Sequence, residues 1–232
     1  MLIWIVAIFI FIAILLLFIY ASYSIQTGVY LKTLCKNPKK GKVVALTFDD
    51  GPDPEQTHKI LDILKKYDVK GCFFCIGNKV KDNPEIVRRI INEGHLIGNH
   101  SYTHTFSFPL YSVKRITEEL QSTEKEIEKI TGKRTLLFRP PFGVTNPTIA
   151  KVIKKLDYIT IGWSIRSLDT KGNEEKALKR IQDKIHPGAV ILLHDTMPFS
   201  DSLLLKVLDF LKKNEYNIVT PDTLFDIKRL TQ

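Results

Sequence analysis

The chain has 232 residues, 44% of them apolar, with 34 Lys and Arg against 25 Asp and Glu and three cysteines. That composition excludes a disordered chain and a disulfide-stapled miniprotein, and the length suits one sizeable buried core rather than two. Five of the nine net positive charges fall on Lys32, Lys36, Lys39, Lys40 and Lys42, which leaves the remainder mildly basic, with no stripe suited to nucleic acid and no obligate protein partner evident.

Leu2 to Tyr20 is a run of nineteen apolar residues without charge, Pro or Gly. At about 1.5 Å per residue such a helix covers roughly 28 Å, close to the ~30 Å hydrocarbon thickness of a bilayer. Trp4, Tyr20 and Tyr23 sit near its ends, where interfacial aromatics belong. The competing assignment is a cleaved signal peptide. Against it stand the lack of a basic segment before the run, a stretch longer than the usual apolar region of such a peptide, and only a loose small-residue site at Ala21-Ser22-Tyr23-Ser24. Residues 1–22 are therefore expected to form a single-pass anchor, 23–41 a polar linker and 42–232 the folded body. The lysines after the helix favour a cytoplasmic body by the positive-inside rule. The nearest lies a dozen residues past Tyr20, however, and long C-terminal domains translocate with little regard to loop charge, so charge leaves the side open.

From residue 43 onward, short β-branched and apolar runs alternate with segments of helical spacing. The expected strands are Val43 to Phe48, Cys72 to Ile76, His95 to Gly98, Leu136 to Arg139, Tyr158 to Trp163, Ala189 to Leu193 and Asn217 to Val219. The expected helices are Glu55 to Tyr67, Pro84 to Glu93, Ser112 to Thr131, Asn146 to Leu156, Glu174 to Ile185 and Ser202 to Lys213. Seven strands alternating with helices imply parallel pairing with right-handed crossovers. A body of roughly 190 residues is short of the ~250 of a full eight-fold barrel, which points to an α/β fold with a distorted (β/α) barrel of about seven parallel strands. No phosphate-binding loop or dinucleotide fingerprint follows any strand.

Functional groups of such folds collect where strands end. Here those edges read Asp49-Asp50-Gly51-Pro52, Asn99-His100-Ser101-Tyr102-Thr103-His104, Arg139-Pro140-Pro141-Phe142 and His194-Asp195. Asp-Gly-Pro is also ordinary turn chemistry. Yet adjacent residues leaving a strand point to opposite sides, so Asp49 and Asp50 are able to take two jobs, one binding metal and one taking a proton. His100 and His104 are four apart, and on a helical turn both imidazoles face one ion. Two histidines and a carboxylate leave coordination positions open, as in a catalytic site; Zn²⁺ is the default, with a non-haem iron triad as the competitor. Cys72 and Cys75, three apart on a strand, face opposite ways and read as buried hydrophobes. His194 is either a general acid or a hydrogen-bonded strand end, and Arg139 either a loop anchor or a bidentate partner for a carboxylate.

These residues resemble the polysaccharide deacetylases, also called the NodB homology domain or carbohydrate esterase family four, over about residues 42 to 225. Thr47-Phe48-Asp49-Asp50-Gly51 is similar to the family's first motif, His100-Ser101-Tyr102-Thr103-His104 to the second, Arg139-Pro140-Pro141-Phe142 to the third and Leu192-Leu193-His194 to the last. The resemblance implies Asp49 as general base, Asp50, His100 and His104 as metal ligands, His194 as general acid and Arg139 as the residue holding Asp49. It also implies Pro141 and Phe142 as groove walls and Leu193 as the lining for the acetyl methyl. The family's fourth motif usually reads Asp-x-x-Asp-Trp, where this chain has Arg166-Ser167-Leu168-Asp169-Thr170. The first Asp and the Trp are absent, so Asp169 is the expected partner of His194 and Trp163 the substitute sugar platform. The implied activity is metal-dependent removal of N-acetyl groups from N-acetylglucosamine-type residues of a cell-wall or exported polysaccharide, peptidoglycan first, by a membrane-held domain on the extracytoplasmic side. An O-acetyl xylan-type esterase, a deacylase of a lipid-linked amino sugar and a non-catalytic glycan-binding protein are the alternatives.

Overall fold

The computed structural model describes residues 2–228; Met1 and residues 229–232, the outer limits of the expected anchor and body, lie outside the described residues. An apolar helix, α1 (Leu2–Tyr23), precedes a short strand, β1 (Thr33–Leu34), and the long strand β2 (Val43–Asp49). There follow α2 (Gln56–Lys66), β3 (Cys72–Cys75), α3 (Gly77–Asp82), α4 (Pro84–Asn92) and β4 (Leu96–Asn99). Next come α5 (Val113–Thr131), β5 (Leu137–Phe138), α6 (Pro147–Leu156), β6 (Ile159–Ile161) and β7 (Ile165–Arg166). The chain continues through α7 (Glu174–Lys184), β8 (Ala189–His194), α8 (Ser200–Lys213), β9 (Asn217–Ile218) and α9 (Pro221–Phe225).

The strands form one sheet in the order β1-β6-β5-β4-β3-β2-β8-β7, with β9 beside the start of β2, and every ladder pairing is parallel. Among the described residues the two ends of this path, β1 and β7, are not paired, so the distorted (β/α) barrel is open between them. Seven of the nine strands among the described residues fall where alternation predicts them. β1 lies in the lysine-rich stretch expected to be linker, and β7 follows β6 after three residues with no helix between them, so neither belongs to the strand–helix alternation.

β2 is buried on both faces, as a parallel strand covered by helices should be. Val44, Leu46 and Phe48 face outward into a core shared with α2, α4 and α8, while Ala45 faces inward among Cys72, Phe74, Leu137, Val190 and Leu192. The alternation that sends Val44, Leu46 and Phe48 out sends Thr47 and Asp49 in, towards the site. Cys72 and Cys75 fall in the inner and outer cores respectively, as their spacing on a strand requires.

The expected linker, 23–41, is a correction. Ile25 and Cys35 are buried in the inner core, β1 pairs in register with β6 (Thr33↔Thr160, Leu34↔Ile161), and Asn37 donates its backbone N–H to the Gly188 carbonyl at 2.8 Å. A lysine-rich, acid-free composition reads as solvent-facing chain, but the few apolar residues within it are the ones that dock.

His95 illustrates a buried polar group with a single task. Its Nδ1 accepts the Gly71 N–H at 3.1 Å and its ring meets the Phe73 edge. Burial, and then the nearby Lys70 charge, push its pKa down from 6.5 to about 4. The unfolded chain therefore binds more protons between those values, so this contribution to stability is present above about pH 6.5 and is lost as pH falls towards 4. In urea unfolding at pH 7 and pH 5, His95→Asn, whose Oδ1 is still able to accept the Gly71 N–H, is expected to lose less stability on acidification than the parent. An equal loss removes His95 from the account.

Candidate active site

The inward residues at the C-terminal ends of β2, β4, β5, β6 and β8 surround a cavity of about 260 Å³, lined by Asp49, Asp50, His100, His104, Phe142, Trp163, Leu192 and His194 among others. A larger cleft of about 880 Å³ opens at the opposite edge, around Tyr67, Asp209, Lys212 and Tyr216. The smaller one carries the convergent ligand atoms, and chemistry rather than volume selects it.

Asp50 leaves β2 with φ 73°, and Lys79 Nζ donates to its carbonyl at 2.8 Å. This turn requires Gly51 next: a Cβ there would stand 2.2 Å from Asp195 Oδ2, in a buried carboxyl that also accepts the Thr57 hydroxyl. Asp50 Oδ1 lies 3.4 Å from His100 Nε2 and 3.3 Å from His104 Nε2, and has no hydrogen-bond partner of its own. Asp50, His100 and His104 each offer one ligand atom, all within 4.8 Å of one another. His100 Nδ1 lies 2.8 Å from the Arg139 carbonyl, which can only accept, so Nδ1 carries the proton and the Nε2 lone pair faces the cluster. Burial, and then His100, lower the His104 pKa to about 4, leaving that imidazole neutral as a ligand must be. An orphaned carboxylate oxygen between two imidazole nitrogens fits a divalent cation with open positions for water or substrate.

The expected helical turn over His100 to His104 is not present. The segment is a loop in which Ser101 (φ 66°) and His104 (φ 50°) are left-handed. Glu119, buried on α5, accepts the N–H groups of Tyr102 and Thr103 at 3.0 and 2.8 Å and the Thr103 hydroxyl as well, and Ser101 Oγ accepts the His104 N–H. That carboxylate, with no role assigned from sequence, holds the loop that carries both histidines. Nothing in the local sequence signals it.

Arg139 is fully buried. Its Nη1 donates to Asp49 Oδ1 at 2.6 Å and Thr47 Oγ1 at 2.9 Å, its Nε to the Ile161 carbonyl and its Nη2 to the Gly162 carbonyl, with the guanidinium 4.1 Å from the Phe74 ring centre. One Asp49 oxygen is thus tied, while Oδ2 faces His100 Nε2 at 3.7 Å. Across the cavity, Asp169 follows a left-handed Leu168 (φ 62°) and accepts both the backbone N–H of His194, at 2.8 Å, and Nδ1, at 2.7 Å. His194 Nε2 is left facing Asp50 Oδ2 at 3.8 Å. Burial opposes the charge on this imidazole, but the Asp169 hydrogen bond and charge, and then Asp49 and Asp50, prevail and raise its pKa to about 9.

The apolar walls differ from expectation at two residues. Leu192 lines the cavity; Leu193 points into the outer core, because on β8 the residue two before His194 shares its side and the residue one before does not. Pro141 is buried and does not line the cavity. Phe142, at φ 61°, meets the His104 ring at a tilt (4.7 Å, 51°) and stacks on Phe106 (5.1 Å, 11°). Trp163 packs so closely on Gly143 that a Cβ there would meet its ring at 2.3 Å. Five non-glycine residues at positive φ, Asp50, Ser101, His104, Phe142 and Leu168, belong to or adjoin this one site. Arg166 reaches its rim, its guanidinium 5.7 Å from the Trp163 ring centre.

Compared with known proteins, the chain matches the polysaccharide deacetylase family over residues 36–161. It is 39% identical over 196 residues to the peptidoglycan-N-acetylmuramic acid deacetylase PdaA of Bacillus subtilis (strain 168), an alignment spanning 82% of this chain and 74% of that protein. Among solved structures, a peptidoglycan N-acetylglucosamine deacetylase superposes with a TM-score of 0.79 at 33% identity, over 84% of this chain and 92% of that one. A family pseudoenzyme from Bacillus anthracis superposes at 0.77 and 32% identity, over 83% and 68%.

Proposed function

This chain belongs to the polysaccharide deacetylase family, and we propose that it removes N-acetyl groups from amino sugars of peptidoglycan with the help of a divalent metal, Zn²⁺ by choice of donors. A pseudoenzyme among similar structures means that the fold alone does not carry activity. The observation that carries it is the convergence of Asp50, His100 and His104 between a carboxylate tied through one oxygen, Asp49, and an imidazole backed by a carboxylate, His194.

A bound divalent ion would supply Lewis-acid polarisation of the amide carbonyl and a water acidified towards pKa ~7. Asp49 Oδ2 takes the proton of the attacking water, while Arg139 keeps Oδ1 occupied and the carboxylate in place. His194 Nε2 delivers a proton to the departing nitrogen, which would otherwise leave as an amide anion. Leu192 and Trp163 close the apolar side around the acetyl methyl, and Phe142 with Phe106 offers a face for the sugar ring. Because peptidoglycan lies outside the membrane, α1 serves as anchor for a body facing outward; its exposed apolar surface supports that reading.

N-acetylglucosamine is the first reading of the sugar. One observation favours a second, N-acetylmuramic acid: Arg166 places a guanidinium at the rim, suited to the lactyl ether and its carbonyl group that only the muramic sugar carries.

The test is acetate release from chitooligosaccharides and from purified peptidoglycan, with added Zn²⁺ and with chelator. Chelator-sensitive release is expected, with loss of turnover but not of bound metal in Asp49→Asn and loss of both in His100→Ala. Identifying the sugar that gains a free amine separates the two readings. Full turnover in Asp49→Asn, or in thoroughly chelated protein, rules the mechanism out.

A further inference from the structure

α1 is not tethered loosely to the body. Ala21, in its last turn, and Ile25, two residues past its end, are both buried in the body. Thr145 donates its N–H to the Ser22 carbonyl at 2.9 Å, and the next residue, Asn146, donates its side-chain amide to the Pro109 carbonyl at 2.7 Å. The end of α1 and the tip of the loop after β4 are therefore held by adjacent residues. On the other side the chain returns along the helix, the Tyr30 hydroxyl donating to the Phe18 carbonyl and its ring stacking on Phe18.

Among the described residues, the large apolar side chains exposed outside α1 are Val29 (56%), Phe106 (89%) and Leu110 (87%). All three belong to these two segments. Phe108 between the latter two is fully buried and fixes the loop, so Phe106 and Leu110 are presented outward rather than left floppy. Lys32 and Lys114, both exposed, stand beside the two segments in sequence, where cationic residues flank a membrane interface.

Resting on the reading of α1 as an anchor, we propose that the body lies against the bilayer surface, with residues 107–111 of the loop and residues 29–30 as its lipid contact. With α1 spanning the membrane, residues 21–25 sit at its interface, and a body whose core begins at Ala21 cannot stand far from it. Val29 and Leu110 then enter the interfacial layer. Phe106, which also stacks on Phe142, marks the point where the mouth of the active site meets that layer. The glycan served is the membrane-proximal one.

The full chain reconstituted in phosphatidylglycerol–phosphatidylethanolamine vesicles tests this. Cys35, Cys72 and Cys75 are buried, so an environment-sensitive fluorophore can be attached at Leu110→Cys or, as a remote control on α8, at Lys212→Cys. Vesicle flotation reports the anchor, and quenching by lipids carrying a doxyl group high on the acyl chain reports the contact. Flotation of both proteins, with a blue-shifted and quenched label at 110 and an unquenched one at 212, is expected. Flotation with a water-exposed label at 110, or with equal quenching at both positions, overturns the contact while leaving the anchor intact. Failure to float overturns both.

Discussion

Arg139→Met is expected to destabilise the catalytic body by about 3–5 kcal/mol, the cost of stripping one partner from a buried ion pair. The guanidinium is fully buried and donates to Asp49, Thr47 and the carbonyls of Ile161 and Gly162. Methionine fills much of the volume and satisfies none of these acceptors. The dominant loss is the carboxylate of Asp49, left in a low-dielectric interior without its counter-charge. Two carbonyls left without donors add to it. The urea midpoint should fall accordingly, with little change in slope. Arg139→Lys keeps the charge but not the fork, since one ammonium cannot serve acceptors arrayed around a plane, and should fall between. The double variant Arg139→Met, Asp49→Asn separates charge from packing: neutralising the abandoned partner should restore part of the loss. A double variant no more stable than Arg139→Met would falsify the claim that the uncompensated Asp49 charge is the main cost.

This buried pair also shows why so much of the site is legible in the sequence. Asp49, Asp50, His100, Arg139 and His194 stand at or just past the end of an apolar run that reads as a strand, with His104 a few residues on, and a parallel sheet gathers strand ends on one edge. What escaped is set by contacts distant in the chain. The loop from His100 to His104 takes its shape from Glu119, held on a helix that begins after the loop has ended. No i,i+4 argument survives when Ser101 and His104 turn left-handed. β1 lies in a lysine-rich stretch because two residues are enough to pair with the edge of β6. Leu193 differs in kind: strand alternation alone, counted back by two from His194, selects Leu192 as the lining residue.

Asp169→Asn is expected to lower kcat, and to lower it more at pH 8 than at pH 6, while metal binding persists. The sign of its pH dependence follows from the role proposed for His194. A general acid works protonated, so activity disappears as pH rises through its pKa. Burial disfavours the imidazolium, and it is the Asp169 hydrogen bond and charge, with Asp49 and Asp50 behind them, that raise its pKa to about 9. Asparagine is still able to accept from Nδ1 but brings no negative charge, so burial regains the upper hand and the alkaline limb of the rate profile should move down by about one pH unit or more. The deficit should therefore be smaller at pH 6 than at pH 8. A divalent ion held by Asp50, whose Oδ2 lies 3.8 Å from His194 Nε2, would push in the same direction in parent and variant alike, so the displacement between the two profiles is the quantity to compare. Asp169 also accepts the backbone N–H of His194, and a purely structural loss would lower kcat equally at every pH. Coincident limbs would mean that a carboxylate other than Asp169 holds the proton on His194, and the altered fourth motif would then need a different explanation.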